Sequence, residues 1–294
     1  MHTPVLLHEV IAYLEPQPGE FFIDGTIDGG GHAAEILKRL GPEGRLLGLD
    51  WDRTMIEKAN LKTEKLKNTK LILVHGNYVD LPEILKKEKL PKADGLLLDL
   101  GLSSEQLEAS GRGFSFRKDE SLLMTYDPSR KPVKKILQEL DEKKLADIIF
   151  EFSGERFSRS IARAIKQRQM KKPIETTGEL NEIIKSAVPK GYERGRIEPA
   201  TRTFQALRIY ANDELKNLDT MLSKLPEILK SKARVAIISF HSLEDRIVKQ
   251  KFKEMADAGE LDILTKKPVE AGDREIQENP RSRSAKLRAA IITY

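Results

Sequence analysis

The chain has 294 residues, of which 39% are hydrophobic, so it can bury a sizeable core in one large or two medium domains. It contains no cysteine, which excludes disulfides, thiolate metal sites and every mechanism that needs a thiolate nucleophile. The formal net charge of +5 favours a polyanionic partner.

The positive charge belongs to the middle of the chain. Between Glu108 and Asn212 there are 22 Lys and Arg against 15 Asp and Glu, a net of +7, and the remaining residues carry a net of −2. No apolar run approaches the roughly 20 residues that a bilayer-spanning helix needs, and the first residues lack the pattern of a signal peptide. We therefore expect a cytoplasmic protein that does not enter a membrane.

The first part of the chain alternates between apolar runs and helical patterns. Pro4 opens an amphipathic helix over Val5–Leu14. Strands are then predicted at Phe21–Asp24, Arg45–Asp50, Leu71–Val74 and Gly95–Leu100. Helices alternate with them at Gly31–Leu40, Thr54–Leu66 and Leu81–Glu88, the last with Asp80 as its N-cap. This alternation predicts a parallel sheet with helices on both faces, a doubly wound α/β fold.

After Leu107 the strands stop, and the chain becomes helical and basic until Arg234. The predicted helices of this middle segment are Val133–Leu140, Lys144–Phe152, Arg156–Arg168, Thr177–Ala187 and Thr203–Leu225. A strand returns at Arg234–Ser239, followed by a helix at Leu243–Met255 and strands at Leu261–Thr265 and Ala289–Thr293. The simplest organisation is an α/β domain of residues 1–107 and 213–294, interrupted by a helical domain of residues 108–212.

A glycine-rich turn follows the first strand. Gly29, Gly30 and Gly31 precede a helix, so the backbone can approach a ligand closely and the helix presents unpaired N–H groups. An acidic residue about 20 positions further is expected to bind a ribose, and Asp50 stands 19 residues after Gly31. The pairing predicts an adenosine-containing cofactor. The alternative is that the glycines only turn the chain and Asp50 caps a helix.

Asp99 ends the fourth strand and is followed by the hydroxyls of Ser103 and Ser104, at the edge where parallel sheets bind ligands. Methyl transfer from S-adenosylmethionine would use such a site, because it needs positioning more than acid–base power. Gly29 to Ala34 also match the dinucleotide fingerprint, so a nicotinamide-dependent oxidoreductase stays open. Asp99 could also be a helix or turn cap.

Several longer segments resemble one known family. They are His2–Val5, Asp24–Thr26, Gly30–His32, Asp99–Leu107, Arg112–Phe116, Thr203–Ile209, Ile238–Lys249 and Asn279–Arg288. In this order they are similar to the MraW family, bacterial small-subunit ribosomal RNA methyltransferases that methylate the exocyclic N4 of a cytidine in the decoding region. The resemblance implies a Rossmann-like class I methyltransferase sheet with an inserted helical RNA-binding domain. It also implies S-adenosylmethionine as cofactor and small-subunit ribosomal RNA, or the assembled small subunit, as partner.

Site residues follow from the resemblance position by position. It implies that S-adenosylmethionine is contacted by Gly30, Gly31, His32, Asp50, Tyr78, Asp99 and Gln106. Tyr78 would offer an aromatic face to the adenine, or it is a core tyrosine. Asp99 is the candidate catalytic residue, because a carboxylate that accepts the N–H protons of the cytosine amine would hold it toward the methyl group. No metal site is predicted, since the histidines lack metal-ligand spacing.

Two positions depart from the family pattern. Asp28 stands where the family usually has glycine, which adds a negative charge near the methionine end of the cofactor. Leu123–Asp127 replaces an Asp-Met-Arg-Met-Asp run, so a loop near the presumed site loses an Asp and an Arg. Activity or substrate choice could therefore differ from the family's.

Basic side chains and a histidine complete the candidates. Arg156, Arg159, Arg163 and Lys166 share one helix face, opposite Phe157, Ile161 and Ile165. That face suits phosphate contact or is simply solvated. A second basic cluster comprises Arg281, Arg283, Lys286 and Arg288. His241 and Glu244 follow a strand and belong either to the site or to a capping box with Ser242. A non-catalytic RNA-binding or ribosome-assembly factor remains a further alternative.

Overall fold

The computed structural model describes residues 4–63, 70–103, 106–107, 110–192 and 198–294. The chain forms two compact units, one of Met1–Gly101 with Leu215–Tyr294 and one of Leu102–Glu214. We call them the sheet unit and the helical unit. They divide the chain near the predicted boundaries at residues 108 and 212. Within the described ranges, no helix is both long and apolar enough to cross a bilayer.

The sheet unit is built on a seven-stranded sheet. Its strands are β1 Phe21–Asp24, β2 Arg45–Asp50, β3 Lys70–His75, β4 Ala93–Asp99, β5 Leu229–Ser239, β6 Leu261–Ile263 and β7 Lys286–Ile292. They lie in the order β3-β2-β1-β4-β5-β7-β6; β7 runs antiparallel to β5 and β6, and the other neighbouring strands pair in parallel. The predicted doubly wound, Rossmann-like fold is confirmed.

Helices cover both faces of this sheet. They are Leu7–Leu14, Gly31–Leu40, Arg53–Thr63, Leu81–Lys87, Glu214–Ser223, Leu225–Ile228, Ser242–Asp257 and Asp273–Glu278. Alternate residues of β1 enter different apolar clusters: Phe21 and Ile23 pack with Phe252, whereas Phe22 packs with Ile36. Because both faces are buried, the strands read as nearly continuous apolar runs.

The helical unit has its own apolar core. Its helices are Val133–Glu139, Glu142–Ser153, Ser158–Gln169, Thr177–Ala187 and Ala200–Asn212. Ile149, Ile161, Ile165 and Leu207 are fully buried in one cluster of this unit. The apolar face predicted for the basic helix is therefore a core face.

The predicted single helix Thr203–Leu225 is wrong. The first helix ends at Asn212, and Asp213 adopts a left-handed backbone with φ of 52°. The Asn212 amide is fully buried and donates hydrogen bonds to the carbonyls of Met124 and Arg208, at 2.8 and 2.9 Å. A polar side chain that binds the backbone in this way competes with helix propagation. The chain then continues as two shorter helices.

Local geometry also corrects two helix starts. Asp80 makes no capping hydrogen bond; instead the side chain of Asn77 accepts from the Val79 N–H at 3.2 Å, at the start of a 3₁₀ turn. The first helix begins at Leu7 rather than Val5, because Leu6 is left-handed with φ of 52°. The predicted helix end at Leu66 lies outside the described residues.

Candidate active site

Three carboxylates end neighbouring strands of the sheet unit. Asp24 ends β1, Asp50 ends β2 and Asp99 ends β4. The strand order reverses between β1 and β4, and ligands of open parallel sheets bind at the carboxyl edge beside such a switch point. The fold therefore brings the two predicted site residues Asp50 and Asp99 to one edge.

The glycine loop is fixed by the sheet and by its own packing. The Ile27 N–H donates to the Leu49 carbonyl at 2.7 Å, and Gly30 turns the chain with φ of 74°. A Cβ at Gly30 would lie 3.2 Å from Ala59 Cα, and a Cβ at Gly31 would lie 2.6 Å from Pro4 Cγ. Both glycines are thus required by the turn and by close packing, and their contact with a cofactor stays a prediction.

Asp50 is held by backbone donors from two segments. Its Oδ2 accepts from the Asp28 N–H at 2.9 Å and its Oδ1 from the Asp52 N–H at 2.8 Å. Burial raises the pKa of Asp50 to about 7, and the negative charges of Asp28 and Asp52 also raise it. The two backbone hydrogen bonds lower this pKa, but by less. The carboxylate is positioned before any ligand binds.

Asp99 has a similar environment. Its backbone N–H donates to Thr26 Oγ1 at 2.6 Å, and its carboxylate Oδ2 lies 3.7 Å from His32 Nδ1. The Nε2 atom of buried His32 lies 2.9 Å from the Val5 carbonyl, which can only accept, so Nε2 carries the hydrogen. Burial raises the pKa of Asp99 to about 7, with further contributions from the charges of Asp28 and Glu244.

Asp24 is a candidate that the sequence analysis missed. It is only 1% exposed and accepts from the Thr26 N–H at 3.2 Å. Burial raises the pKa of Asp24 well above its ordinary value, and the charges of Asp99, Asp50 and Asp28 raise it further. The available signal was its position, since it ends a strand directly before the glycine loop.

His241 and Glu244 form a capping box, but not the predicted one with Ser242. His241 is the N-cap of the helix Ser242–Asp257, and its Nδ1 accepts from the Glu244 N–H at 3.3 Å. The buried Glu244 carboxylate accepts in return from the Phe240 and His241 N–H groups. Glu244 therefore stabilises the helix start after β5 while adding negative charge near Asp99.

Tyr78 and Gln106 have structural partners of their own. Tyr78 is partly buried and packs against the core of the sheet unit, which agrees with a core tyrosine. Gln106 belongs to the helical unit. Its side-chain Oε1 accepts from the Ser103 backbone N–H, and its backbone N–H donates to Ser103 Oγ, both at 3.0 Å. Their contacts with a cofactor stay predictions. Ser104 lies outside the described residues.

The altered loop Leu123–Asp127 is held within the helical unit by backbone contacts. The Met124 N–H donates to the Arg112 carbonyl at 2.7 Å, and the Arg112 guanidinium donates to the Tyr126 carbonyl at 3.0 Å. The Tyr126 N–H donates to the Asn212 side chain at 3.1 Å. The loop is therefore ordered without the Asp and Arg that the family pattern has there.

Only part of the predicted basic face is exposed. Arg156, Arg159 and Arg163 are exposed, whereas Lys166 is partly buried and donates to the Leu137 carbonyl at 2.8 Å. Burial lowers the pKa of Lys166. Lys166 thus caps the end of a neighbouring helix, which the sequence pattern did not predict.

The second basic cluster is also divided. Arg288 is 6% exposed and pairs with Asp245 through Nε and Oδ1 at 2.6 Å, whereas Arg283 is exposed. Arg288 therefore joins β7 to the helix after β5 inside the sheet unit. It does not belong to a surface for a polyanion.

The sheet edge fits a cationic cofactor. The charges of Asp99 and Asp50 raise the pKa of Asp24, and the charge of Asp28 raises the pKa of all three carboxyls. A ligand that brings positive charge would relieve this repulsion, and the predicted contact of Asp50 with ribose hydroxyls stays a prediction. S-adenosylmethionine has both features, a sulfonium with an ammonium group and an adenosyl ribose.

Comparison with known proteins covers nearly the whole chain. The sequence pattern of the MraW methylase family matches residues 1–292. The chain is 43% identical to the ribosomal RNA small subunit methyltransferase H of Syntrophotalea carbinolica, over 98% of this chain and 96% of that protein. It is 44% identical to the protein of the same name from Geotalea uraniireducens, over 98% of this chain and 97% of that protein. Both alignments therefore span the sheet unit and the helical unit.

Proposed function

The chain belongs to the MraW methylase family, and on that premise we propose that it methylates the exocyclic N4 of a cytidine in the decoding region of small-subunit ribosomal RNA. It is an S-adenosylmethionine-dependent ribosomal RNA methyltransferase. This replaces the nicotinamide-dependent alternative. The proposal concerns the atom methylated, the residues responsible and the form of the RNA.

The observation that carries the proposal is the set of carboxylates at the switch point of the sheet. Asp50 and Asp99 lie on opposite sides of β1. Asp50 accepts from two backbone N–H groups, and Asp99 Oδ1 accepts from the Gly101 N–H at 3.4 Å. We assign Asp50 to the ribose and Asp99 to the amine of the target base. The bound cofactor would supply the methyl group, and the residues of the sheet edge would position its acceptor.

Asp99 is proposed as the acceptor for the amine protons. The N4 lone pair of cytosine is delocalised into the ring, so the nitrogen needs to be oriented and to lose a proton during methyl transfer. A carboxylate that accepts an N–H hydrogen bond serves both needs. With a pKa of about 7, Asp99 can take up the N4 proton, and the Nδ1 of His32 at 3.7 Å is the next acceptor.

The absence of cysteine argues against carbon 5 as the methylated atom and leaves an amino nitrogen or a ribose oxygen. Methylation at carbon 5 of a pyrimidine normally proceeds through a cysteine adduct, and the chain has no cysteine. The target base must also leave its stack to meet a carboxylate inside a protein site. An acceptor such as Asp99 would recognise an amino group on the Watson–Crick edge of that base.

The helical unit is proposed to contact the RNA backbone. Residues 108–212 carry a net charge of +7; Arg159 and Arg163 are exposed on the helix Ser158–Gln169, and Arg156 is exposed in the turn before it. Phosphate contacts of this kind give affinity without reading sequence. We further propose that the enzyme works in the cytoplasm, where small subunits are assembled.

The test is methyl transfer with position-resolved mass analysis. Small-subunit RNA from cells lacking the protein is offered either naked or within the assembled small subunit, together with isotope-labelled S-adenosylmethionine. We expect labelled N4-methylcytidine in the decoding region, and the preferred form of the RNA identifies the substrate. A label on carbon 5 or on a ribose oxygen would contradict the proposal. RNA binding without any transfer would indicate a non-catalytic assembly factor.

A further inference from the structure

Asp28 occupies an unfavourable backbone position in the glycine loop. Its φ is 47°, in the left-handed region where a residue with a side chain is uncommon and glycine is at ease. The next residue, Gly29, has no left-handed φ. A carboxylate is thus kept at a position whose conformation favours glycine.

The loop fixes Asp28 beside the strand ends. Its N–H donates to Asp50 Oδ2 at 2.9 Å, which ties position 28 to the end of β2. The negative charge of Asp28 acts on Asp24, Asp50 and Asp99, since it raises the pKa of all three carboxyls. Asp28 therefore adds negative charge to the edge at which the cofactor is proposed to bind.

The cofactor and its product differ by one charge. S-adenosylmethionine has a sulfonium, an ammonium and a carboxylate group, and its net charge is positive. Methyl transfer leaves the electron pair of the broken carbon–sulfur bond on sulfur, so the product S-adenosylhomocysteine is neutral overall. Negative charge at the site attracts the first more strongly than the second.

We propose that Asp28 is a specificity-determining residue whose charge makes the site bind S-adenosylmethionine in preference to S-adenosylhomocysteine. The proposal rests on the proposed function, because it takes the sheet edge as the cofactor site. Its consequence is easier exchange of spent product for fresh cofactor. Asp50 and Asp99 would hold and react with ligands, whereas Asp28 would select the charge state of the ligand.

The test is equilibrium binding of each ligand to the full-length protein by titration calorimetry. Measurements at about pH 8, above the pKa of about 7 of Asp50 and Asp99, and at low salt keep these two carboxylates mostly ionised and limit screening. In Asp28→Asn, which removes the charge, we expect the preference for S-adenosylmethionine over S-adenosylhomocysteine to fall about three- to tenfold. Affinity for S-adenosylhomocysteine itself should change less than about twofold, because that ligand lacks the sulfonium charge.

Three further variants separate charge from backbone strain and from overall charge. Asp28→Gly removes the charge together with the strain, and it should lower the preference as Asp28→Asn does. Asp28→Glu keeps the charge and should retain the preference. Asp262→Asn makes the same change of net charge at an exposed position of β6, and it should leave both affinities unaltered. Thermal unfolding of each variant checks that the fold is intact.

Two patterns would overturn the inference. Equal loss of affinity for both ligands would mean that Asp28 holds a group common to them. An unchanged preference in Asp28→Asn and Asp28→Gly would mean that its charge does not act on the sulfonium, even if Asp28→Gly binds both ligands more tightly through relief of strain. A wild-type protein that binds neither ligand would instead refute the cofactor site, which is the failure of the proposed function.

Discussion

The acidic edge of the sheet unit and the basic face of the helical unit use charge in opposite ways. At the acidic edge, Asp24 is buried and Asp50 accepts two backbone hydrogen bonds, so each carboxylate has a fixed position. On the basic face, Arg163 is exposed and pairs with the exposed Glu142 at 3.4 Å. Such a surface pair contributes little to stability.

The comparison indicates which charged groups can take part in a reaction. A partly buried carboxylate changes its pKa with its neighbours and meets a ligand in one geometry. An exposed guanidinium keeps its charge and is not held in one position. Its attraction for a distant charge is weakened by salt. We therefore expect single substitutions to have large effects at the acidic edge, and only combined substitutions to have measurable effects on the basic face.

The largest effect is expected for Asp99→Asn. The change keeps the size and one acceptor oxygen but removes the charge that would stabilise the developing cationic amine. We expect turnover to fall about 10²-fold or more, as for loss of a positioned electrostatic or acid–base group. Single-turnover methylation of small-subunit RNA measures this, and cofactor and RNA affinities should change much less. A rate near that of the wild type would restrict Asp99 to positioning.

The next effect concerns cofactor affinity. Asp50→Ala should weaken S-adenosylmethionine binding by about 1–3 kcal/mol, the cost of leaving polar partners unpaired. Asp94→Ala is a matched control at the amino edge of the sheet, because Asp94 also accepts a backbone N–H, from Phe21 at 2.9 Å. Calorimetric titration should find its cofactor affinity unchanged. Equal affinities for both variants would remove Asp50 from the site.

A third prediction concerns the pH dependence of the free energy of unfolding. Asp50 and Asp99 have folded-state pKa values of about 7, against 3.8 ordinarily, so the folded protein binds more protons than the unfolded chain between these values. The free energy of unfolding should therefore fall as pH rises from about 4 to 7 and level off above. Urea unfolding of the ligand-free protein measures it. Asp28→Asn should reduce the fall, and an identical pH dependence in that variant would contradict the coupling.

The smallest effect belongs to the basic face. Changing Arg156, Arg159 and Arg163 together to Gln should weaken RNA binding at low salt and reduce the salt slope by about 2–3, with cofactor affinity untouched. Lys166→Gln is the control, because the Lys166 ammonium donates to the Leu137 carbonyl at the end of a neighbouring helix. This change should lower the free energy of unfolding and leave the salt slope of RNA binding unaltered. Filter binding over a salt series distinguishes them. An unaltered salt slope in the triple variant would mean that the three arginines are solvated and do not contact RNA phosphates.

Local sequence patterns located most of the elements. β1, β2 and the helix Gly31–Leu40 have the predicted bounds, because their apolar spacing and the glycine turn between them depend on neighbouring residues only. The same patterns did not find the break after Asn212. That break depends on a buried amide that binds Met124, a residue distant in the sequence.

The sequence alone determined the family, the alternation of strands and helices, and the placement of Asp50 and Asp99 at strand ends. Only the tertiary structure decided what surrounds those residues. In the folded protein, Asp24 lies at the acidic edge, and His241 rather than Ser242 caps the helix. Lys166 donates to a carbonyl at the end of a neighbouring helix instead of lying on the basic face. The physical reason is that periodicity reports which face of an element is apolar, whereas desolvation, repulsion and capping depend on groups that meet only when the chain has folded.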